Sequence, residues 1–110
     1  MNFEAVIGLE IHVQQKTKSK MFSIAPNSFS RDPNTQVAPL DMAFPGTMPV
    51  VNKQAVINAI RVANALHMEI DHTLYFDRKN YFYSDLPKGF QITQQRRPIG
   101  KNGYVMVDTP

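Results

Sequence analysis

Glu10 and His12 are residue types that ligate divalent cations, and their spacing decides whether they act together. In an extended strand residues i and i+2 project from the same side, roughly 6 to 7 Å apart, so a carboxylate and an imidazole stand side by side. Gly8 falls on the same face one step earlier, where a missing side chain leaves room for a ligand or another backbone. An oxygen-preferring cation takes about six donors, so two residues cannot complete a site. A solvated strand face that happens to carry Glu and His accounts for the same pattern.

A second group lies in residues 77–101, where Arg78, Lys79, Lys88, Arg96, Arg97 and Lys101 outnumber Asp77 and Asp85 and Tyr81, Phe82, Tyr83 and Phe90 are interleaved. Cations among aromatic rings suit phosphate or nucleic acid by charge and stacking. A solvated basic face is the alternative, and Asp77-Arg78 reads equally as a local ion pair worth under about 1 kcal/mol if exposed. His67 and His72 have no acidic or histidine partner at ligand spacing and read as structural or solvated.

These residues need elements to position them. Phe3, Ala5, Ile7, Leu9, Ile11 and Val13 alternate with Glu4, Val6, Gly8, Glu10, His12 and Gln14, the period of a half-buried strand. A polar turn at Lys16–Lys20 leads to a short return strand at Met21-Phe22, and residues 23–41 read as a long connection. Pro45-Gly46 suits the centre of a type II turn. Asn52 is a natural N-cap for a helix over about 52–68, whose apolar stripe is Val56, Ala59, Ile60, Ala63 and Leu66. Strands are expected at Thr73–Asp77, Asn80–Tyr83, Phe90–Thr93 and Tyr104–Val107, with turns at Leu86–Gly89 and Lys101–Gly103. The expected fold is α+β, a mainly antiparallel sheet covered by that helix, with Leu9, Ile11, Ile60, Ala63 and Leu66 in one core.

With 110 residues, 43% of them hydrophobic, one small domain is expected. The absence of cysteine excludes disulfides, a thiolate zinc site and a catalytic thiol. No apolar run reaches the length of a membrane span and no signal peptide opens the chain, so a soluble, cytoplasmic protein is expected.

Three motifs, Val6-Ile-Gly-Leu-Glu-Ile-His-Val13, Phe44-Pro-Gly-Thr-Met-Pro-Val-Val-Asn52 and Phe76-Asp-Arg-Lys-Asn-Tyr-Phe-Tyr-Ser-Asp-Leu-Pro-Lys-Gly-Phe-Gln-Ile92, closely resemble the B-subunit family of the aspartyl/glutamyl-tRNA(Asn/Gln) amidotransferases. The resemblance runs from Met1 to the end of the chain, including the Pro98–Gly103 turn. It makes residues 1–110 the N-terminal part of the catalytic, or cradle, domain of a B subunit, about its first quarter, without the helical and tail domains. The chain's stop just past the last expected strand agrees with a fragment. Ser84 stands where the family more often has proline, and Thr47-Met48 varies the aliphatic form of the Pro-Gly motif.

The resemblance implies a heterotrimer, in which the B subunit works with an amidase subunit plus a third, small subunit, that corrects misacylated tRNA. It turns Glu-tRNA(Gln) into Gln-tRNA(Gln) and Asp-tRNA(Asn) into Asn-tRNA(Asn), on a catalytic fold similar to that of glutamine synthetase. ATP with Mg2+ phosphorylates the aminoacyl side-chain carboxylate, and ammonia released from glutamine displaces the phosphate. By resemblance, Glu10 and His12 become metal ligands, and Lys79 and Lys88 line the polar route by which ammonia reaches the acyl-phosphate. Asn80, Tyr81, Ser84 and Asp85 shape the pocket for the nucleotide and the tRNA 3′ end. Alone, these 110 residues are expected to be inactive. A noncatalytic tRNA-binding or subunit-docking module is the competing reading, and docking predicts an exposed apolar patch.

Overall fold

The computed structural model describes residues 1–30, 32–85 and 88–108. The one helix among the described residues, α1 (Lys53–Ala65), starts where the sequence places its cap. Asn52 has extended backbone, and its side-chain oxygen accepts from the Gln54 and Ala55 amides at 3.0 and 3.3 Å. Two of the helix's orphan donors are thereby satisfied. The same side chain donates to the Ser19 carbonyl at 3.0 Å, the Ser19 hydroxyl at 2.9 Å and the Lys20 carbonyl at 3.3 Å, which ties the helix to a segment 32 to 33 residues away. Backbone bonds from Val50 to Phe22 and from Asn52 to Met21 extend the tie, so Met21-Phe22 is held by two bonds without becoming a strand.

The helix ends earlier than its periodicity suggests, because His67 turns left-handed at φ 54°. The Met68 amide then reaches back to the Ala63 carbonyl and the His67 amide to that of Asn64, the paired bonds of a Schellman stop. A left-handed non-glycine is uncommon, and stacking of the His67 ring on Tyr104 at 4.7 Å accompanies it. His67, which the sequence reads as structural or solvated, is exposed and stacked on Tyr104.

Four short strands follow: β1 (Glu69–Ile70), β2 (Asp77–Asn80), β3 (Phe90–Thr93) and β4 (Gly100–Lys101). They form two separate antiparallel ribbons, β1 with β4 and β2 with β3, instead of one continuous sheet. The helix packs on the β1–β4 ribbon. Gly103 allows this close approach: a Cβ there would lie 2.6 Å from Met68 Cγ and 2.8 Å from the Leu66 carbonyl oxygen. β3 matches its expected bounds. β2 instead straddles the gap between the two strands expected at Thr73–Asp77 and Asn80–Tyr83, because the ladder forms opposite Phe90–Thr93 and not where propensity peaks. The expected strand at Tyr104–Val107 has no partner among the described residues and is exposed.

The expected strand over residues 3–14 is also absent, and with it the proposed core. Leu9 is 90% and Ile11 81% exposed, whereas Ala63 is buried and Ile60 and Leu66 half-buried. Alternation specifies which face a strand would bury, but the strand forms only when a neighbour takes its amide and carbonyl groups, and no described residue does so. The buried apolar side chains among the described residues are the small ones of Ala25, Ala38, Ala55 and Ala63. The radius of gyration is 17.5 Å, against about 13 Å for a compact domain of this length.

Candidate functional site

The β2–β3 hairpin and the Phe44–Pro49 corner face each other. At the corner Gly46 has φ +78°, the left-handed second centre of a type II turn after Pro45, and the Thr47 amide donates to the Phe44 carbonyl at 3.4 Å. Between corner and hairpin lies a cavity of about 470 Å³. Its walls are mainly apolar, from Leu40, Phe44, Met48, Phe76, Phe90 and Ile92, and Arg78 and Lys88 supply its positive charge. Strand alternation accounts for Arg78, Phe90 and Ile92, though not for Asp77, which also lines the cavity. Arg78 pairs with Ile92 across the ladder and Asn80 with Phe90, so Arg78, Phe90 and Ile92 share one face while Lys79, opposite Gln91, takes the other.

Lys88, which precedes β3, also lines the cavity, and Lys79 lies across the ribbon with its Nζ 5.1 Å from the centre of the Tyr81 ring. Asn80 is exposed on β2, and Tyr81 is half-buried, its amide closing the hairpin onto the Gly89 carbonyl at 3.0 Å and its ring edge-on to Tyr83. Ser84 and Asp85 are exposed in the hairpin turn. The expected Leu86–Gly89 turn begins at Leu86 and Pro87, which lie outside the described residues.

Asp77 does not pair with Arg78, since adjacent strand residues point to opposite faces. It accepts from the Arg96 amide at 3.1 Å and lies 3.9 Å from Arg96 Nε. Nearby, Arg97 grips Asp71 with two hydrogen bonds, which with the Thr73 amide hold the Asp71 carboxyl below its ordinary range. His72 is exposed.

Glu10 and His12 do project together: His12 Nε2 lies 3.2 Å from Glu10 Oε1, with both side chains in solvent. A carboxylate oxygen and an imidazole nitrogen in contact fit two positions of a cation's shell. Among the described residues no group of three or more His, Asp or Glu side chains is gathered to hold a metal. The cavity walls include neither residue.

Sequence reasoning included Arg78 and Phe90 only in the broad basic, aromatic stretch 77–101, and it passed over the aromatic and thioether wall from Phe44 and Met48. The two-residue period through Phe76, Arg78 and Asn80 already groups Arg78 with the cavity side. The corner's position opposite the hairpin has no sequence signal.

The sequence matches the family model described as the GatB/GatE catalytic domain over residues 5–110. It is 63% identical to the B subunit of the aspartyl/glutamyl-tRNA(Asn/Gln) amidotransferase of Mycoplasma mobile, over 97% of this chain and 22% of that protein. The protein of that name from Mycoplasmopsis pulmonis is 60% identical over 96% of the chain and 22% of its own length, and that from Geobacillus thermodenitrificans 55% identical over 98% and 23%. The chain thus spans less than a quarter of the length of these relatives. Matched along nearly its whole length, motifs and cavity walls included, the chain belongs to the GatB/GatE catalytic-domain family.

Proposed function

We propose that this chain is the N-terminal part of the catalytic domain of a protein that phosphorylates and amidates Glu-tRNA(Gln), Asp-tRNA(Asn) or both during protein biosynthesis in the cytoplasm. In this reading it is an ATP-dependent carbon–nitrogen ligase with glutamine as amido donor, assembled into a heterotrimer with an amidase subunit plus a small subunit. The observation that carries the reading is the family match over residues 5–110. The glutamine-synthetase-like fold of the complete domain belongs to the same proposal.

The chemistry follows from the substrate. A carboxylate resists ammonia because its leaving group would be oxide, so the terminal phosphoryl group of ATP is first transferred to the carboxylate oxygen, giving an acyl-phosphate and ADP. Ammonia then adds to the acyl carbon, the C–O bond to phosphate breaks, and the nitrogen loses a proton as the amide forms. Lys88, on the cavity, is suited to phosphate charge, and Lys79 to ordering the polar route on the other face of the hairpin. Asn80, Tyr81, Ser84 and Asp85 shape the pocket beside them. Glu10 and His12 would hold Mg2+, which supplies charge neutralisation to phosphate when bound.

The exposed Phe3, Val6, Ile7, Leu9 and Ile11 favour a second reading, a subunit-docking module without catalysis. ATP-dependent phosphorylation of Glu-tRNA(Gln) by the assembled enzyme, with added ammonia replacing the amidase supply, separates the two. The ligase reading expects Glu10→Ala and His12→Ala each to reduce acyl-phosphate formation at limiting magnesium, with partial recovery in excess. Wild-type rates in both variants would remove the metal role, and no ATP-dependent product from the unmodified enzyme would leave docking alone.

A further inference from the structure

We propose that residues 71–76 and 94–99 form a hinge about which the β2–β3 hairpin swings against the corner, opening and closing the cavity between them. The proposal goes beyond the ligase reading and does not rest on it, since it concerns how the cavity is bounded and not what the cavity binds.

The two ribbons are parts of one long hairpin. Glu69 pairs with Lys101 and Ile70 with Gly100 in one, and Asp77 pairs with Thr93 and Arg78 with Ile92 in the other, so six residues intervene on each side. The register of the first ribbon therefore carries over to the second with no residue inserted in either chain. Across those six positions the ladder is missing. Both chains bend there, and among the described residues one backbone bond joins them, from the Asp71 amide to the Ile99 carbonyl at 3.0 Å. Pro98 has no amide to give. Side chains take over: Gln94 donates to the Tyr75 carbonyl at 3.0 Å and accepts from the Ile99 amide at 3.3 Å, Arg97 grips Asp71, and Asp77 accepts from the Arg96 amide. Bonds of this kind hold an angle weakly. They run through rotatable side chains at or near the surface, where water competes for each partner, whereas a ladder fixes both backbones.

Beyond the joint the hairpin is separate from the helical side of the molecule. α1 packs on β1 and β4, but β2 and β3 contact neither that helix nor that ribbon. At the base of the hairpin Phe76 meets Phe22 edge-on, 5.3 Å between ring centres, a contact about which the arm rocks. The Phe22 carbonyl in turn accepts from the Val50 amide, just past the corner, so pivot and corner move with the helix. A small rotation at the joint then changes how far Phe90 and Ile92 stand from Phe44 and Met48, which is the width of the cavity.

Pairs of spin labels in the assembled enzyme, on a background without other cysteines, read this motion, and the present chain contributes no cysteine of its own. Labels at Val50→Cys and Gln91→Cys, both exposed, span the cavity, and labels at Lys53→Cys and Lys101→Cys, also exposed, span α1 and β4. The first pair should give a distance distribution about twice as wide as the second, or wider. Gln94→Met, which removes both side-chain bonds at similar volume, and Arg97→Met should each widen the first distribution further and leave the second unchanged. Equally narrow distributions for both pairs in the unmodified enzyme would overturn the hinge, as would a first distribution that neither variant moves. Equal widening of the second pair would reduce the effect to general loosening and also overturn it. If the variants fail to fold, hydrogen exchange on the unmodified enzyme decides: the amides of residues 74–76 should exchange faster than those of the two flanking ribbons, and uniform protection would refute the proposal. Neither readout uses a substrate, so failure of the ligase reading leaves both results intact.

Discussion

Asn52→Ala and Asn52→Asp together test how the helix is held to the segments around the cavity. In the native chain the Asn52 oxygen caps α1 through two amides, and its nitrogen donates to three acceptors on Ser19 and Lys20. Alanine removes both sets. Losing the cap costs about 1 kcal/mol, and losing the half-buried donations costs about as much again, so a fall of roughly 2 kcal/mol in unfolding free energy is expected. Aspartate retains the accepting oxygens and gains slightly from the helix dipole, but it cannot donate and sets a carboxylate against the Ser19 and Lys20 carbonyls. Its stability should fall between alanine and wild type. Urea unfolding followed by helical circular dichroism gives both values. Aspartate equal to wild type would show that the donations to Ser19 and Lys20 contribute nothing, and aspartate equal to alanine would show the same of the cap.

Gly103→Ala should lower stability by about 1 to 3 kcal/mol in the same assay, because the new methyl meets the Leu66 carbonyl, a backbone atom that already accepts from the Tyr104 amide at 2.9 Å; an unchanged midpoint would contradict the close packing. Asp41 supplies a pH dependence. Burial pushes its carboxyl up, but the Ala38 amide, the Ser23 hydroxyl and the Lys20 charge more than offset this and hold it below its ordinary range. A depressed folded value means the contribution is complete above the unfolded pKa of about 3.9 and is lost as pH falls through the folded value, so acid titration should show destabilisation below about pH 4 that Asp41→Asn reduces. In the assembled enzyme, Lys79→Ala and Lys88→Ala should leave glutamine hydrolysis measurable while cutting amidated tRNA by more than about tenfold, as transfer-side roles require. Undiminished amide formation in both would remove those roles.

Local signals carried a definite part of this molecule. The Asn52 cap, the helix that follows it, the Pro45-Gly46 corner and the β3 strand are set by interactions within a few residues: a side chain bonding its own helix, a glycine at positive φ, β-branched and aromatic residues in a short run. Glu10 and His12 do stand side by side, but without the strand from which the sequence placed them. What the sequence could not determine was pairing. The alternation in residues 3–13 defines an apolar face without providing a neighbour, so Leu9 and Ile11 lie in solvent, and Tyr104–Val107 has strand propensity but no ladder among the described residues. Likewise β2 took its bounds from β3, which put Arg78 on the cavity side of the hairpin and Lys79 on the other. The cavity itself exists because a corner and a hairpin far apart in the chain, Phe44–Pro49 and Phe76–Ile92, come to face each other, and only tertiary contacts, which act between residues distant in sequence, decide that.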